Sequence, residues 1–415
     1  MRRLLRCLYN LVINIIVFIS GFIIWRDKKV ILVGAWMGER FADNSRNLYE
    51  SLFCNKAELG LKRVIWVTEN EKLQQEMTAA GYDVIKTHSL SGLYWHLRAG
   101  VHIVCNMYAK TGKYPGDIWG ELSAGAIKIQ LWHGVGVKAC HYMVQSTAAK
   151  SLIQKIKEFV FGKHLLGATV FTPGCWGNRY QIATSEENSR VTEMDYGVPK
   201  NRIIQSNYPR LNDKITLFPE EQAVIDELER IKEKKKIVLY CPTFREKKQN
   251  DSAYENPIEN ELFTQFLREN NIVWVEKRHF ASSFNFDNEK DDNVYRIGTE
   301  FDLNILFRCI DVLVTDYSSA ASDCVYRKIP VVSFVPDYDD YLNNERGFVA
   351  DYNLYYPGDK AKTILELQEA IVKALAPDYF SGSRKIEYDV CRNFLFDNRP
   401  NDYEWIYNTL KKAIG

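Results

Sequence analysis

The 415-residue chain lacks most of the signatures that would place it quickly. It has no Cys-x-x-Cys pair. Its nine cysteines (Cys7, Cys54, Cys105, Cys140, Cys175, Cys241, Cys309, Cys324 and Cys391) are odd in number and scattered. That excludes a disulfide framework and a zinc-binding cysteine cluster. Several, Cys105 and Cys241 among them, sit in apolar strand-like runs and read as small core hydrophobes, which points to a reducing compartment. No G-x-x-x-x-G-K-(S/T) loop is present, so the chain is not a P-loop ATPase, and the missing G-x-G-x-x-G fingerprint counts against an NAD enzyme. Neither sign of charge is in excess: 54 Lys and Arg stand against 53 Asp and Glu, leaving +1. A duplex nucleic-acid binder carries a strong basic surplus. Nucleic acid is therefore not an expected partner, and an anionic ligand must be held by a local cluster. Internal repeats and low-complexity stretches are also absent.

What the chain does have is apolar mass: 46% hydrophobic and 13% aromatic residues, enough for full cores in two or three domains. Between Leu8 and Trp25 (LYNLVINIIVFISGFIIW) no residue is charged. As a helix this run would extend roughly 27 Å, close to the thickness of a bilayer's hydrocarbon core. Arg2, Arg3 and Arg6 precede it; Arg26, Lys28 and Lys29 follow. A short transmembrane anchor, an interfacial or re-entrant helix and a signal peptide compete for it, with a buried core helix as the alternative. The signal peptide fits least, because Ile23-Ile24-Trp25 is a poor cleavage site. Basic residues on both flanks leave orientation undecided. We expect a membrane-associating segment over residues 1–29 and a protein at the cell membrane, peripheral or N-terminally anchored.

Beyond Val30 the sequence alternates strand-like and helix-like segments, as parallel α/β folds do. Apolar runs recur at 30–36, 63–68, 101–105, 127–132 and 168–172, and again at 236–243, 271–277, 311–319 and 330–336. Helical stretches such as 45–53 and 71–81 lie between them. Strands without alternation imply sheets covered on both faces. A Pro- and Asn-containing stretch from Tyr208, followed by the charged helix EEQAVIDELERIKEKKK, marks the junction. The expected architecture is two Rossmann-like domains facing a cleft, over 30–207 and 208–385, with a helical segment 386–415 packing back toward the first.

In open α/β sheets ligands bind beyond the carboxyl ends of the strands, and the unusual polar groups fall there. His133 follows IKIQLW and precedes Gly134. Thr243 and Arg245 follow IVLYC, and His279 follows IVWVEK. Thr315, Asp316, Ser318 and Ser319 follow DVLV. At TDYSSAASD (315–323) the serines can cap a helix whose exposed N–H groups would bind a phosphate; a plain cap without ligand is the alternative. His133, mounted on a turn beside a glycine, suits proton abstraction from an alcohol near neutral pH. His279 lies between Lys277-Arg278 and Phe280, where it suits hydrogen bonding to a phosphate; Arg245 could clamp the same group with two N–H bonds.

These residues resemble the CDP-glycerol glycerophosphotransferase family, the teichoic-acid primases and polymerases and their capsule-forming relatives, from about residue 30 to 390. The family's W-H-G-x-x-x-K element is matched by Trp132, His133, Gly134 and Lys138. Tyr240, Pro242, Thr243, Phe244 and Arg245 match its Y-x-P-T-x-R element. Asp311 to Ser319, with Asp323 following, match the D-x-L-x-T-D-Y-S-S block. Asp337, Tyr341, Arg346, Gly347 and Phe348 match a later D-x-x-x-Y and R-G-F stretch. Tyr208-Pro209-Arg210 with Asp213 matches Y-P-R-x-D, and Asp43-Asn44 a D-N after the first strand.

The resemblance implies a GT-B-type fold with CDP-glycerol or CDP-ribitol bound mainly by the second domain. It implies a lipid-linked or polymer acceptor, and catalytic domains facing the cytoplasm. His133 and Asp316 would be catalytic. Gly134, Lys138, Thr243, Arg245, Lys277, His279, Thr315, Ser318, Ser319, Asp323 and Arg346 would bind substrate, with Asp43 and Asn44 on the acceptor side. The chain departs from the family pattern at Val135-Gly136, at Phe280 after His279, and in FDNRPNDYEWIY (396–407), which bears on the polyol and the acceptor. A nucleotide-sugar glycosyltransferase of the same architecture is the second enzyme reading, and a membrane-bound scaffold the non-enzyme one. No metal-ligand cluster is visible, so no cofactor is assigned and a divalent-ion requirement stays open, as does a homo-oligomer.

Overall fold

The computed structural model describes residues 2–108, 115–140, 143, 174, 176–212, 214–243, 256–277, 292–298, 300–344, 347–397, 407–408 and 411–412. The chain divides into two units: Met1–His133, Ser146–Ile215 and Asn398–Gly415 form one, Gly134–Gln145 and Thr216–Asp397 the other.

The first unit holds seven parallel strands in the order β3-β2-β1-β4-β5-β6-β7. They are β1 (Asp27–Gly34), β2 (Arg63–Thr68), β3 (Val84–Lys86), β4 (Ala99–Val104), β5 (Ile127–Gln130), β6 (Arg179–Ala183) and β7 (Ile203–Gln205). The second holds β8 (Lys236–Tyr240), β9 (Ile272–Lys277), β10 (Val294–Ile297), β11 (Val312–Thr315), β12 (Val331–Phe334) and β13 (Lys360–Ala361), also all parallel, in the order β10-β9-β8-β11-β12-β13. Both run outward from the first strand on one side and onward on the other. Each therefore has a topological switch point, β1/β4 in one and β8/β11 in the other, where ligands of such sheets bind. The central strands are buried along their length, as the unbroken apolar runs require. The run at 168–172 lies outside the described residues, while β3, β6, β7, β10 and β13 had no strong apolar signal.

Helices cover the sheets: α1 (Arg2–Ile23), α2 (Asp43–Cys54), α3 (Glu71–Ala79), α4 (Leu90–Arg98) and α5 (Glu186–Tyr196) in the first unit. In the second they are α6 (Pro219–Lys232), α7 (Glu261–Glu269), α8 (Leu303–Leu306), α9 (Ala320–Arg327), α10 (Tyr338–Asn344), α11 (Ile364–Ala374) and α12 (Gly382–Leu395). Sequence-local signals set many of their starts: Ser185 caps α5, Pro219 opens α6, and Thr363 with Glu366 forms a capping box on α11.

Two boundaries differ from expectation. The first unit continues to Ile215, because Arg210 and Asn212 are bound by α2 residues Asp43, Asn44 and Asn47. Helix α12 stays with the second unit, its Tyr388 hydroxyl accepting the Val331 N–H at 2.7 Å and its Cys391 thiol bonding Leu354 O. Only the residues after Asp397 return to the first unit, where the Tyr407 hydroxyl meets Ser51 of α2 and Asn55 at the end of that helix.

Helix α1 lies along the first unit. Val17 and, less deeply, Ile13 and Phe18 pack on Leu122, Ala124, Leu97, Trp119 and Trp176, while buried Asn14 accepts the Gly174 N–H at 2.7 Å. The chain then turns, and Arg26 plunges inward. Its guanidinium donates to His96 O, Ala99 O, Leu122 O and Ala124 O at 2.6–2.9 Å. Burial pulls it down to about 10, still charged at neutral pH. Among the described residues no helix is long and apolar enough to cross a membrane. The transmembrane reading of 1–29 is therefore unsupported, and one face of the helix is already taken up by protein.

Beneath this helix, His96 donates its Nδ1–H to Gly92 O at 2.6 Å and accepts the Trp119 N–H at Nε2 at 3.0 Å, which makes it a neutral ring. Burial holds its pKa down to about 4, and that of His102 well below the usual value. Because these rings take up protons on unfolding, their stabilising effect is complete above about pH 6.5 and is lost as the pH falls toward 4. For His96 the loss is on the order of 3 kcal/mol. Unfolding free energy should fall between pH 6.5 and 4, and His96→Asn should flatten that slope by about one proton. An unchanged slope would mean that the native ring protonates freely.

Candidate active site

At the carboxyl ends of the first sheet, His133 ends the stretch that leaves β5. A carbonyl can only accept, so the contact of His133 Nδ1 with Cys105 O at 3.3 Å puts the ring proton on Nδ1 and leaves Nε2 as the basic nitrogen. The ring lies tilted against that of Trp132, centroids 4.4 Å apart, and 5.8 Å from that of Trp36. Trp132 is itself held in the left-handed region (φ 61°), with its carbonyl accepting Asn44 Nδ2 at 2.8 Å and its N–H donated to Gln130 Oε1 at 3.2 Å. Trp36 and Met37, between β1 and α2, and Asp43, the first residue of α2, also have positive φ (44°, 63° and 65°). Four non-glycine residues in a conformation that costs roughly 1–2 kcal/mol each thus gather at one end of one sheet, the kind of strain that functional sites store.

Asp43 and Asn44, expected on the acceptor side, are both buried and engaged by protein. Asp43 forms a buried ion pair with Arg210 at 2.6 Å, and Asn44 Oδ1 accepts the Arg210 N–H at 3.2 Å. The D-N and Y-P-R elements, far apart in sequence, are one assembly whose output is the fixed Trp132–His133 turn.

In the second unit the β8/β11 switch point is closed by Asp316. Its buried carboxylate accepts the Thr243 N–H at 2.8 and 3.1 Å and that of Tyr317, while Thr315 Oγ1 donates to Cys241 O at 2.7 Å. Beneath, Tyr352 and Tyr356 donate to the carbonyls of Asp316 and Ser318 at 2.7 and 3.1 Å, and Tyr317 stacks on Tyr341 at 3.7 Å. Ser318 and Ser319 are half-buried and stand at the start of α9, where the Ser318 hydroxyl accepts the Ala320 N–H at 3.4 Å and Ser319 makes no side-chain cap. Asp323 is buried within it. Alongside, the segment after Gly134 pairs with the R-G-F stretch: Lys138 bridges Phe348, Ala139 N–H donates to Gly347 O, and Val349 N–H to Val137 O. A Cβ on Gly136 would stand 3.5 Å from that of Ser319, so the Val135-Gly136 departure lies against the serines. Lys138 and Lys277 both act electrostatically on Cys241, which places two cations near the same strand end. Lys277 is mostly buried, with Nζ donating to Gly298 O at 3.1 Å.

Arg245, His279 and Arg346 lie outside the described residues. Among the described residues no three His, Cys, Asp or Glu side chains come together as metal ligands. Sequence reasoning missed Gln130, whose signal was a polar residue inside an apolar strand, and Asp117, which had none.

Two parallel α/β sheets, each with polar side chains at the carboxyl ends of its strands, are an architecture that many transferases share. More narrowly, the chain belongs to the CDP-glycerol:poly(glycerophosphate) glycerophosphotransferase family, whose model matches residues 16–395. Over 393 residues it is 25% identical to a teichoic acid poly(glycerol phosphate) polymerase of Bacillus spizizenii, covering 90% of this chain and 89% of that one. It is 24% identical to the teichoic acid glycerol-phosphate transferase of Staphylococcus aureus, covering 84% of each. Among solved structures, the wall teichoic acid polymerase TagF shares the fold, with a TM-score of 0.68 at 19% identity over 100% of this chain and 97% of that one.

Proposed function

We propose that the protein transfers glycerol phosphate from CDP-glycerol to a hydroxyl of a lipid-linked or polymer acceptor, in teichoic acid or capsule synthesis. The observation that carries this is the His133 ring, oriented through Nδ1 so that Nε2 can take a proton. Nε2 removes the proton of the acceptor hydroxyl; the oxygen attacks the β-phosphorus; the bond to the bridging oxygen breaks and CMP leaves with it. Lys138, Lys277, Ser318, Ser319 and the α9 amides stabilise the charge that builds on the diphosphate. Arg245, His279 and Arg346 are assigned to the same task by the family motifs. Asp316 acts by holding Thr243 and Tyr317. Two domains facing a cleft, GT-B fashion, belong to this proposal. The test is CMP release from CDP-glycerol with a membrane extract as acceptor source. Turnover only with CDP-ribitol would move the polyol, and turnover only with a UDP-sugar would replace the reaction by glycosyl transfer. No turnover of any donor would end the enzyme reading.

The proposal includes attachment at the cytoplasmic face of the membrane through α1. Opposite its packed face, Leu5, Leu8, Tyr9, Val12, Ile16, Ile19, Phe22 and Ile23 are exposed at helical spacing, with Trp25 beside them. Helix α4, which packs against α1, adds exposed Leu90, Leu93 and Tyr94. An apolar face of this kind, flanked by basic residues, suits insertion into the boundary of an anionic bilayer. Each buried side chain there is worth about 1.5–3 kcal/mol. The double variant Ile16→Glu, Ile19→Glu should therefore bind phosphatidylglycerol vesicles at least tenfold less tightly in co-sedimentation. Equal binding by the variant would remove α1 as the attachment.

A further inference from the structure

Asp117 belongs to none of the motifs, yet it occupies in the first sheet the place that Asp316 occupies in the second. Asp316 closes the β8/β11 switch point by accepting the N–H of Thr243, beyond β8, and that of its neighbour Tyr317, beyond β11. Asp117, fully buried, closes the β1/β4 switch point. Its Oδ1 accepts the Met37 N–H beyond β1 at 2.9 Å; its Oδ2 accepts the N–H groups of Cys105 and Asn106 beyond β4 at 3.2 and 2.7 Å. Its own N–H donates to Met107 O at 2.6 Å. The fit is close: a Cβ on Gly34, at the end of β1, would stand 2.1 Å from Asp117 O.

Each group so held leads to His133. Cys105 supplies the carbonyl that takes the ring's Nδ1–H at 3.3 Å. The Asn106 carbonyl accepts Gln130 Nε2 at 2.7 Å, and Gln130 Oε1 accepts the N–H of Trp132, the residue before His133. Met37 follows Trp36, whose ring lies 5.8 Å from the imidazole. A buried carboxylate is a costly tie between loops, and burial lifts this one to about 6 against the pull of its backbone donors. Asparagine would be cheaper to bury, but its NH2 would face an N–H. Only a carboxylate accepts at both oxygens.

We propose that Asp117 is a positioning residue for the transfer reaction: it fixes the Cys105 carbonyl that holds His133 Nδ1–H, and thereby keeps Nε2 the basic nitrogen. This rests on His133 being the base, and the test separates the two. The full-length protein, labelled with 15N in its histidines, is compared with Asp117→Asn by ring NMR, and His133 is assigned from its loss in His133→Ala. The wild-type ring should show a single tautomer protonated on Nδ1, and Asp117→Asn should add the Nε2-protonated form. In CMP release, Asp117→Asn should lower kcat about 30–300-fold while KM for CDP-glycerol stays within threefold. In the His133→Ala background it should cost nothing further, because it acts through that ring. If Asp117→Asn does not fold, Gln130→Met, which breaks the other arm of the network, should give the same mixed tautomer. An unchanged His133 spectrum, a kcat within threefold of wild type, or losses that multiply with His133→Ala would each overturn the proposal. Full activity in His133→Ala would sink the base assignment, and the tautomer spectrum would still decide what Asp117 does.

Discussion

His133→Ala should lower kcat for CMP release about a thousandfold, within the range over which positioned general bases act. KM for CDP-glycerol should scarcely change. The split follows from where the residue stands: the imidazole is on the first sheet, whereas Lys138, Lys277, Ser318 and Ser319, the donor's expected partners, belong to the second unit. The ring's only role in the proposed step is to take a proton that forms no part of the donor. His133→Asn should be as slow as the alanine variant, since an amide has no basic nitrogen to offer. A variant that loses KM and keeps kcat would mean that the imidazole binds substrate instead, and would return the chain to the glycosyltransferase or scaffold alternatives.

The largest effect on stability is expected at Arg210. Arg210→Ala leaves Asp43 buried, charged and in a left-handed conformation. Breaking such a pair from one side costs about 3–5 kcal/mol, a large share of the roughly 5–15 kcal/mol by which a typical domain is stable. The Arg210 guanidinium also lies over the Tyr208 ring at 4.9 Å, and alanine cannot replace that cation–π attraction. In urea unfolding Arg210→Ala should lose several kcal/mol, while Arg210→Ala combined with Asp43→Asn should regain part of the loss. Activity in the double variant should stay low: the N–H at position 210 still reaches Asn44, but the side-chain pair of Arg210 with Asp43, the neighbour of the Asn44 that holds Trp132, is gone. Additive losses would mean that the pair is not coupled.

The two sheets were legible because β1, β2, β4, β8, β9 and β11 are buried on both faces and read as unbroken apolar runs. Edge strands such as β3, β7 and β13 are two or three residues long, too short for any period to show. The site was legible as far as its parts sit just past strands: His133, Thr243 and Asp316 could be picked out one by one. Their partnerships could not. Asp43 and Arg210 meet across 167 residues, and the sequence offered Asp43 as an acceptor-side group without showing that Arg210 is its buried counter-ion. Asp117 binds backbone alone, and a backbone amide leaves no mark in a sequence. The N-terminal run showed its lack of charge plainly, but its Asn14 did not show that one face was already committed to Gly174 and the Trp176 cluster.

The left-handed residues around His133 have a consequence for how this enzyme can be improved. Met37→Gly would relieve about 1 kcal/mol of backbone strain, and selection for heat resistance should find that position early. The same change would let the Met37 amide drift from Asp117, and with it the Trp36 ring beside the imidazole. Variants hardened by relaxing this edge of the sheet should therefore be slower, and the natural chain keeps its tempo by declining stability that lies within easy reach.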